Sequence, residues 1–437
     1  MVAEDKLAID GGKPVIADPI PFGVSGPSVV DEEEVDAVSE VLRSQDLFRY
    51  DAQSQCHQFE KEAAELLGVG YTLIVTSGTA ALVCAMKGVG LGPGDEAIVS
   101  GYTYIATPAA IIATGAVPVI AEIDDSLGLD PSDVEKKITP HTKAIVITHM
   151  RGVPVKLDQI LDIAKRHGLK VVEDCCQIVG GQHKGKAIGS KSDAAAWSLN
   201  YFKTISTGEG GMAYTNNRDI YERILYCSDP GLPMWNTTNP DMEKRDKPQG
   251  QFYDVEYQLE PFPGEGYRAS ELIGAVGRVQ LGKLQKVLDH QRKLKKAFMS
   301  ELHEARSYKH QYVDDSEGDT GVSAGVIVND EALAKGFAHA LKAEGVEVAA
   351  IFNDGIPDRH IYSAWDSILN KRSHHPSGYP WKDPSYKGNV EYSKDMCPNT
   401  LNILGRTLLF NFHMNMTEEQ AKLMARALNK VDASLGN

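Results

Sequence analysis

Cysteine is scarce in this 437-residue chain: six residues, Cys56, Cys84, Cys175, Cys176, Cys227 and Cys397, with no CxxC spacing. That usage speaks against a disulfide scaffold and for a reduced compartment. Cys175 and Cys176 are adjacent, so alternation along a strand points them to opposite faces and they cannot bridge without strain. Positive charge is also in deficit. Lys and Arg number 45 against 60 Asp and Glu, a formal charge of −15, which repels a phosphate backbone unless the cations are gathered locally. The one basic cluster, Arg292 to Lys296, lies within a helical pattern and reads as a solvated face. Nucleic acid is therefore not an expected partner.

Long apolar runs are nearly missing. Met1 to Asp10 is acidic and holds no apolar core, so it does not read as a secretion signal. Gly101 to Ala121 is uncharged and long enough to span a bilayer, but Pro108, Gly115, Pro118, Thr103, Thr107 and Thr114 break it into helix, turn and buried strand. A cytoplasmic protein without a membrane span is expected. No repeat or low-complexity tract is evident, and adjacent His374 and His375 lack partners at metal-ligand spacing, so no metal is expected.

What is present is an ordered alternation. Asp31 precedes a Glu-rich helical turn followed by Val35, Val38, Val41 and Leu42 at helical spacing, and a second amphipathic helix runs from about Gln53 to Leu67. Apolar runs of strand length follow at 73–75, 97–99, 117–120, 144–147 and 169–172, mostly separated by helical segments such as Leu157 to His167. Such alternation predicts parallel βαβ units, which bind ligands at the carboxyl ends of their strands. Beyond Asn216 the pattern changes to a long helix from Arg268 to about Leu302, a strand (325–328), a helix (331–344), a strand (346–350), an irregular stretch from Ile356 to Pro398, a strand (407–412) and a closing helix from Thr417. A larger α/β lobe is thus followed by a smaller α+β lobe.

Three segments carry chemistry. In Ser198-Leu-Asn-Tyr-Phe-Lys203-Thr-Ile-Ser-Thr-Gly208, Lys203 sits between a strand end and a glycine-rich turn, beside Tyr201, Phe202 and Ile205. An amine in apolar company is a good nucleophile toward a carbonyl, although a lone loop lysine is more often a solvated charge. In Val171-Val-Glu173-Asp174-Cys-Cys-Gln177, an acidic pair ends a strand. It could cap a helix, bind a metal or sugar, or face a protonated ring nitrogen. In Val75-Thr-Ser77-Gly78-Thr79-Ala80, a strand runs into an alanine-rich helix, whose first amides could either be plainly capped or cradle a phosphate.

Taken together and in this order, these are the three handles of pyridoxal phosphate. The sequence resembles the DegT/DnrJ/StrS group of sugar aminotransferases over nearly its whole length. The marks are Ser77 to Leu82, Gly94-Asp95-Glu96, Tyr102-Thr103-Tyr104, Gly115 to Pro118, Glu173 to Gln177, Lys184-Gly185-Lys186, Ser198 to Gly211 and Arg268 to Leu272. The resemblance implies a type I pyridoxal-phosphate transferase fold. Its large α/β domain holds a mostly parallel seven-stranded sheet, and its smaller C-terminal domain is α+β. The divisions expected are an N-terminal segment (1–30), the cofactor-binding domain (31–265), and the long helix with the small domain (266–437). It also implies roles: Lys203 as the lysine that binds the cofactor aldehyde, Asp174 at the pyridine nitrogen, Gln177 by the phenolic oxygen, Tyr104 stacked on the ring, and Ser77, Gly78, Thr79 and Ser198 at the phosphate. The chain departs from its relatives at Asn200, where many carry His, and at Gly266-Tyr267-Arg268, where relatives read Asn-Tyr-Arg and that Asn serves the neighbouring subunit.

The implied reaction is transamination from L-glutamate or L-glutamine to a keto or aldehyde sugar, in a homodimer with shared sites. The cationic stretch with Arg359, His360, Arg372, His374 and His375 favours an acceptor bearing a carboxylate, such as the 8-oxo eight-carbon acid that gives 8-amino-3,8-dideoxy-octulosonate. A nucleotide-linked ketosugar or a cyclitol ketone of the scyllo-inosose type is the alternative. Relatives with His in place of the lysine are dehydratases, and Lys203 speaks for transamination. A nicotinamide enzyme is disfavoured because the glycine-rich Gly88 to Gly94 follows a helix and precedes a strand, the reverse of the dinucleotide motif. A non-catalytic regulator on the same fold has no appended binding segment to support it.

Overall fold

A computed structural model describes residues 6–50, 53–230, 259–352 and 358–436. The first five residues of the Met1 to Asp10 reading lie outside them. In chain order the first part comprises α1 (Glu32–Ser44), α2 (Gln55–Leu67), β1 (Tyr71–Val75), α3 (Gly78–Gly88), β2 (Glu96–Ser100), α4 (Ala106–Thr114), β3 (Val117–Ala121), α5 (Pro131–Lys137), β4 (Thr142–Thr148), α6 (Leu157–His167) and β5 (Lys170–Asp174). A small hairpin, β6 (Gln182–His183) and β7 (Lys186–Ala187), precedes β8 (Ala194–Ser198), β9 (Gly211–Thr215) and α7 (Arg218–Ser228). The second part holds α8 (Glu271–Glu301), β10 (Tyr308–His310), β11 (Ser323–Val328), α9 (Glu331–Ala343), α10 (Asp366–Leu369), α11 (Pro398–Gly405), β12 (Thr407–Asn411) and α12 (Glu418–Leu435).

Seven strands form one sheet in the order β1-β9-β8-β5-β4-β2-β3. Neighbours from β8 to β3 run parallel, whereas β9 is antiparallel to both β1 and β8. Both faces of the sheet are covered, so its strand centres are apolar on both sides, with polar residues mainly at the strand ends. Leu73, Val75, Ala97, Val99, Val146 and Val172 belong to one core, and Ile74, Ile98, Ile145, Ile147 and Val171 to the other. Each adjacent pair splits between the two layers as alternation along a strand requires. A third core surrounds the sheet β10-β11-β12 and includes Leu294, Phe298, Phe337, Phe410 and Leu428. This is the mostly parallel α/β sheet followed by a small α+β unit that the sequence leads one to expect.

Three details differ from expectation. The segment 346–350 forms no strand. It meets β12 through a single residue pair, Ala349 with Leu409, because Val346 and Val348 bury their side chains in the third core without extending the ladder. In α1 only Val41 of the expected stripe is buried, and Val35 and Leu42 stand exposed. That helix is anchored by Glu34, which is buried against Gln280 and Lys283 of α8. The basic cluster on α8 is not simply solvated: Lys293 pairs with Glu418, while Lys295 and Arg292 bind Asp319 and its carbonyl. Gly101 to Ala121 folds as α4 and β3, and no described helix is long and apolar enough to cross a membrane.

Candidate active site

The carboxyl ends of β1, β2, β4, β5 and β8 open on one edge of the sheet, where a parallel fold gathers its ligands. A cleft of about 540 Å³ at this edge is lined by Ser77, Gly78 and Thr79 from the start of α3, Tyr104, Asp174 and Gln177 after β2 and β5, and Ser198 and Lys203 after β8. All eight residues singled out in the sequence therefore face one space. The segments lie far apart in sequence, and the strand order is what joins them.

The α3 end is built as a cradle. Ser77 caps the helix by accepting the Ala80 amide at 3.1 Å, and the preceding first-turn amides have no intrahelical acceptor. A side chain at Gly78 would lie 2.6 Å from the Ser198 Cβ, so only glycine lets the helix start approach β8 this closely. These free amides and hydroxyls suit a phosphate.

Asp174, 4% exposed, is held at both oxygens. The Cys176 amide donates to Oδ1 at 3.0 Å, and the Thr107 hydroxyl to Oδ2 at 2.7 Å. Thr107 thereby spends its one proton, so in its 2.7 Å bond with Thr103 it accepts, and Thr148 donates to Thr103 at 3.0 Å. A buried file of three hydroxyls fixes the carboxylate's direction. The acidic pair is split by the pleat. Glu173 turns to the opposite face, where His149 Nε2 donates to it at 2.8 Å and the Val155 amide donates to His149 Nδ1 at 3.3 Å. That places the imidazole proton on Nε2. Burial and the Asp174 charge push the Cys176 thiol well up, with Lys203 opposing, which marks it as an inert neighbour of the amine.

Gln177 accepts the Arg151 amide on Oε1 at 3.1 Å, which leaves its NH₂ group as a donor without a partner among the described residues. Tyr104 stands 40% exposed on the rim, its ring 5.2 Å from that of His360. Lys203 is positioned by its own loop. Its amide donates to the Asn200 carbonyl at 3.0 Å, and its carbonyl accepts from Gly26 at 3.1 Å, which ties the segment before α1 to the site. Its expected apolar flank is only partly enclosed, since Tyr201 and Phe202 are 49% and 67% exposed while Ile205 is buried. Lys203 also lines an adjoining cavity of about 290 Å³, with Arg151, Gln177, Gln291, His360 and His413.

The departures have local explanations. Asn200 donates to Glu209 at 2.7 Å and accepts from Phe202 at 3.2 Å on the cleft wall. Gly266 has φ +79°, a left-handed conformation that glycine adopts freely, and Arg268 is bound to Asp229 and Tyr50. Of the cationic stretch, His360 alone reaches either cavity; Arg372 pairs with Asp366, and His374 and His375 stand exposed. Thr148, Arg151 and Glu209 also belong to the site, although no motif in the sequence singles them out. Their signal is position: Thr148 ends β4, Arg151 lies just beyond it, and Glu209 lies in the Lys203 turn.

A phosphate cradle, an oriented buried carboxylate and an amine around one cleft fit pyridoxal 5'-phosphate, with its phosphate, ring nitrogen and aldehyde as the matching groups. Among curated proteins, the chain is 38% identical over 259 residues to the spore coat polysaccharide biosynthesis protein SpsC of Bacillus subtilis (strain 168), covering 59% of this chain and 63% of that protein. It is 35% identical to the GDP-perosamine synthase of Escherichia coli O157:H7, over 54% of this chain and 60% of that one. It is 37% identical to the L-glutamine:2-deoxy-scyllo-inosose aminotransferase of Streptoalloteichus tenebrarius, over 52% and 53%. The chain thus spans between about half and under two thirds of these relatives. An aminotransferase structure from Psychrobacter cryohalolentis superposes with a TM-score of 0.75 at 25% identity, over 95% of this chain and 100% of that one. With residues 28–377 matching the family as a whole, the chain belongs to the DegT/DnrJ/EryC1/StrS aminotransferase family.

Proposed function

We propose that this protein is a transaminase that uses pyridoxal 5'-phosphate to move an amino group from L-glutamate or L-glutamine to the carbonyl of a keto or aldehyde sugar. The observation that carries this reading is the convergence of Lys203, Asp174 and the amino end of α3 on one cleft. When bound, the cofactor supplies an electron-poor ring that accepts the electron pair released as the donor loses its Cα proton. Ser77, Gly78, Thr79 and Ser198 hold its phosphate. Asp174 would face the pyridine nitrogen and keep a proton there through a charge-assisted bond. Tyr104 covers the ring, and the Gln177 NH₂ group faces the phenolic oxygen. Lys203 Nζ would hold the aldehyde, and as a free amine it would take a proton from the donor's Cα.

As acceptor we favour the 8-oxo eight-carbon sugar acid. The cavity beside Lys203, about 290 Å³, supports an acceptor of single-sugar size. A nucleotide-linked ketosugar and a cyclitol ketone are the second reading, favoured by the relatives named for GDP-perosamine and 2-deoxy-scyllo-inosose. We further propose a homodimer whose copies complete each other's sites. Exposed Val35, Leu42, Leu47 and Phe48, with Tyr201 and Phe202 at the mouth, support it.

The test is direct. Purified protein given the cofactor should absorb at the edge of the visible. It should release 2-oxoglutarate from L-glutamate, or 2-oxoglutaramate from L-glutamine, when supplied with one of the three acceptor classes. Lys203→Ala should fold, lose that band and lose turnover. Absence of keto-acid release from both donors with every acceptor, or turnover by the alanine variant, would overturn the reading.

A further inference from the structure

The cavity beside Lys203 contains a second cation that no role above employs. Arg151 lies just beyond β4 and shares this cavity with Lys203, Gln177 and His360. Its backbone is left-handed, φ 58° and ψ 28°, a conformation that costs a long side chain energy and persists where surrounding structure enforces it. Here the enforcement is visible: the Arg151 amide donates to Gln177 Oε1, and its carbonyl accepts from the Ser323 hydroxyl at 3.1 Å. A position whose backbone favours glycine holds instead a guanidinium at the edge of the site.

That guanidinium is underused. It has five N–H donors, of which Nε reaches the Tyr102 hydroxyl at 3.4 Å. Among the described residues no carboxylate lies within ion-pair distance of it; Asp358, whose charge it feels, is hydrogen-bonded to His360 at 2.8 Å. Burial works against its charge, while Tyr102 and Asp358 favour it and the net shift is upward. A second unmet group sits nearby: Gln291, 2% exposed, donates to Ser25 at 2.8 Å but leaves Oε1 without a hydrogen-bond partner among the described residues. Arg151 lines both this cavity and a smaller one that holds Tyr102 and Asp358, and Gln291 lines this one; a buried cation with donors unfilled among the described residues, beside a buried amide acceptor, describes a site for an anion that also carries a hydroxyl.

We propose that Arg151 is a specificity-determining residue that binds a carboxylate of the molecules reaching Lys203. The inference rests on the transaminase reading and narrows its substrates to carboxylates. The carboxylate comes from the amino donor, the sugar acceptor or both. The planar fork can take two carboxylate oxygens at once, which a lysine at this position could not.

The experiment uses the full-length, cofactor-loaded protein as wild type, Arg151→Gln and Arg151→Lys. In one arm L-glutamate or L-glutamine is added alone, and its half-saturation is read from loss of the visible band. In the second arm the aminated protein receives either the 8-oxo sugar acid or neutral scyllo-inosose, and return of the band is followed. In the third arm the binding of glutarate, which has carboxylates but no amine, is measured by calorimetry.

Arg151→Gln should retain the band and the melting temperature. It should weaken carboxylate-bearing molecules about ten- to a hundredfold, as loss of a charge-assisted bond implies. Arg151→Lys should recover part of that loss, and scyllo-inosose should be indifferent to either change. A shift in the first arm alone assigns the carboxylate to the donor, in the second alone to the acceptor, and in both to a shared subsite. Equal half-saturation and equal glutarate affinity in wild type and Arg151→Gln would overturn the proposal. A wild type that binds glutarate through Arg151 yet ignores both L-glutamate and L-glutamine would instead sink the transaminase reading and leave the anion site standing.

Discussion

Asp174 is aimed by three threonines from separate segments: Thr107 in the first turn of α4, Thr103 in the loop before it, and Thr148 at the end of β4. Each hydroxyl has one proton to give, and the file passes them in a single direction that ends on the carboxylate. Thr107→Val keeps the shape and removes the donor. Asp174 Oδ2 and the Thr103 proton then lose their partners in a buried place, which costs about 1–3 kcal/mol of stability. With the carboxylate free to turn, turnover should fall about tenfold, equivalent to ~1.4 kcal/mol of barrier. Thr107→Ser restores the hydroxyl and should restore the rate. Melting curves and initial rates on the three proteins check both statements; a valine variant with unchanged turnover would show that the file is structural only. This network was not legible in the sequence. In the sequence Thr103 and Thr107 read as polar interruptions of an apolar run, and Thr103 also falls in one of the family marks, but hydroxyl direction depends on Thr148 and Asp174 arriving from other strands.

At the scale of elements, the signals that depend on neighbours in sequence were the readable ones. Asp31 caps α1 and forms a capping box with Glu34, and strands β1 to β5 stand where apolar runs lie between helical periods. Segment 346–350 misled because two valines buried by tertiary packing look like a strand. The apolar face of α1 misled for the complementary reason: its anchor is a carboxylate. Glu34 accepts the Asp31 amide at 2.9 Å, Gln280 at 2.6 Å and Lys283 at 2.8 Å. Burial would raise its pKa, but the Asp31 amide, Lys283 and Gln280 outweigh it, and the pKa falls below 4.5. A group lowered on folding stabilises fully above its unfolded pKa, and that contribution fades as pH drops through the folded value. Glu34→Gln should therefore cost about 1 kcal/mol near neutrality, since Lys283 loses one anionic partner but keeps Asp31 at 2.8 Å and the Val29 carbonyl at 3.0 Å. The gap between the melting temperatures of wild type and variant should narrow steadily as the pH is taken below 4.5. A gap independent of pH would mean that the carboxylate's charge plays no part in holding α1.

For the molecule as a whole, the order Ser77-Gly78-Thr79, Asp174, Lys203 was readable as a set of handles, but that they face one space follows from the strand order β1-β9-β8-β5, which no local pattern records. Arg151 was invisible for a related reason, since a left-handed arginine beside a glycine reads as an ordinary turn. The exposed apolar groups bear on assembly. Val35, Leu42, Leu47 and Phe48 are each more than half exposed, and the cleft's own mouth carries Tyr201 and Phe202. A second copy laid on these faces would remove them from water and roof the amine. Light scattering on the eluting protein should give twice the 47.6 kDa chain mass. Leu42→Glu and Phe48→Glu replace exposed side chains, so within one chain they should change stability by no more than about 0.5 kcal/mol. Buried without a partner in a contact between copies, the same charges should be strongly unfavourable and give monomers. Those monomers should melt as folded proteins yet transaminate poorly, because each site would lack its neighbour's wall. A wild type that elutes with the mass of one chain, or glutamate variants that stay active as monomers, would show that the site is complete in a single copy.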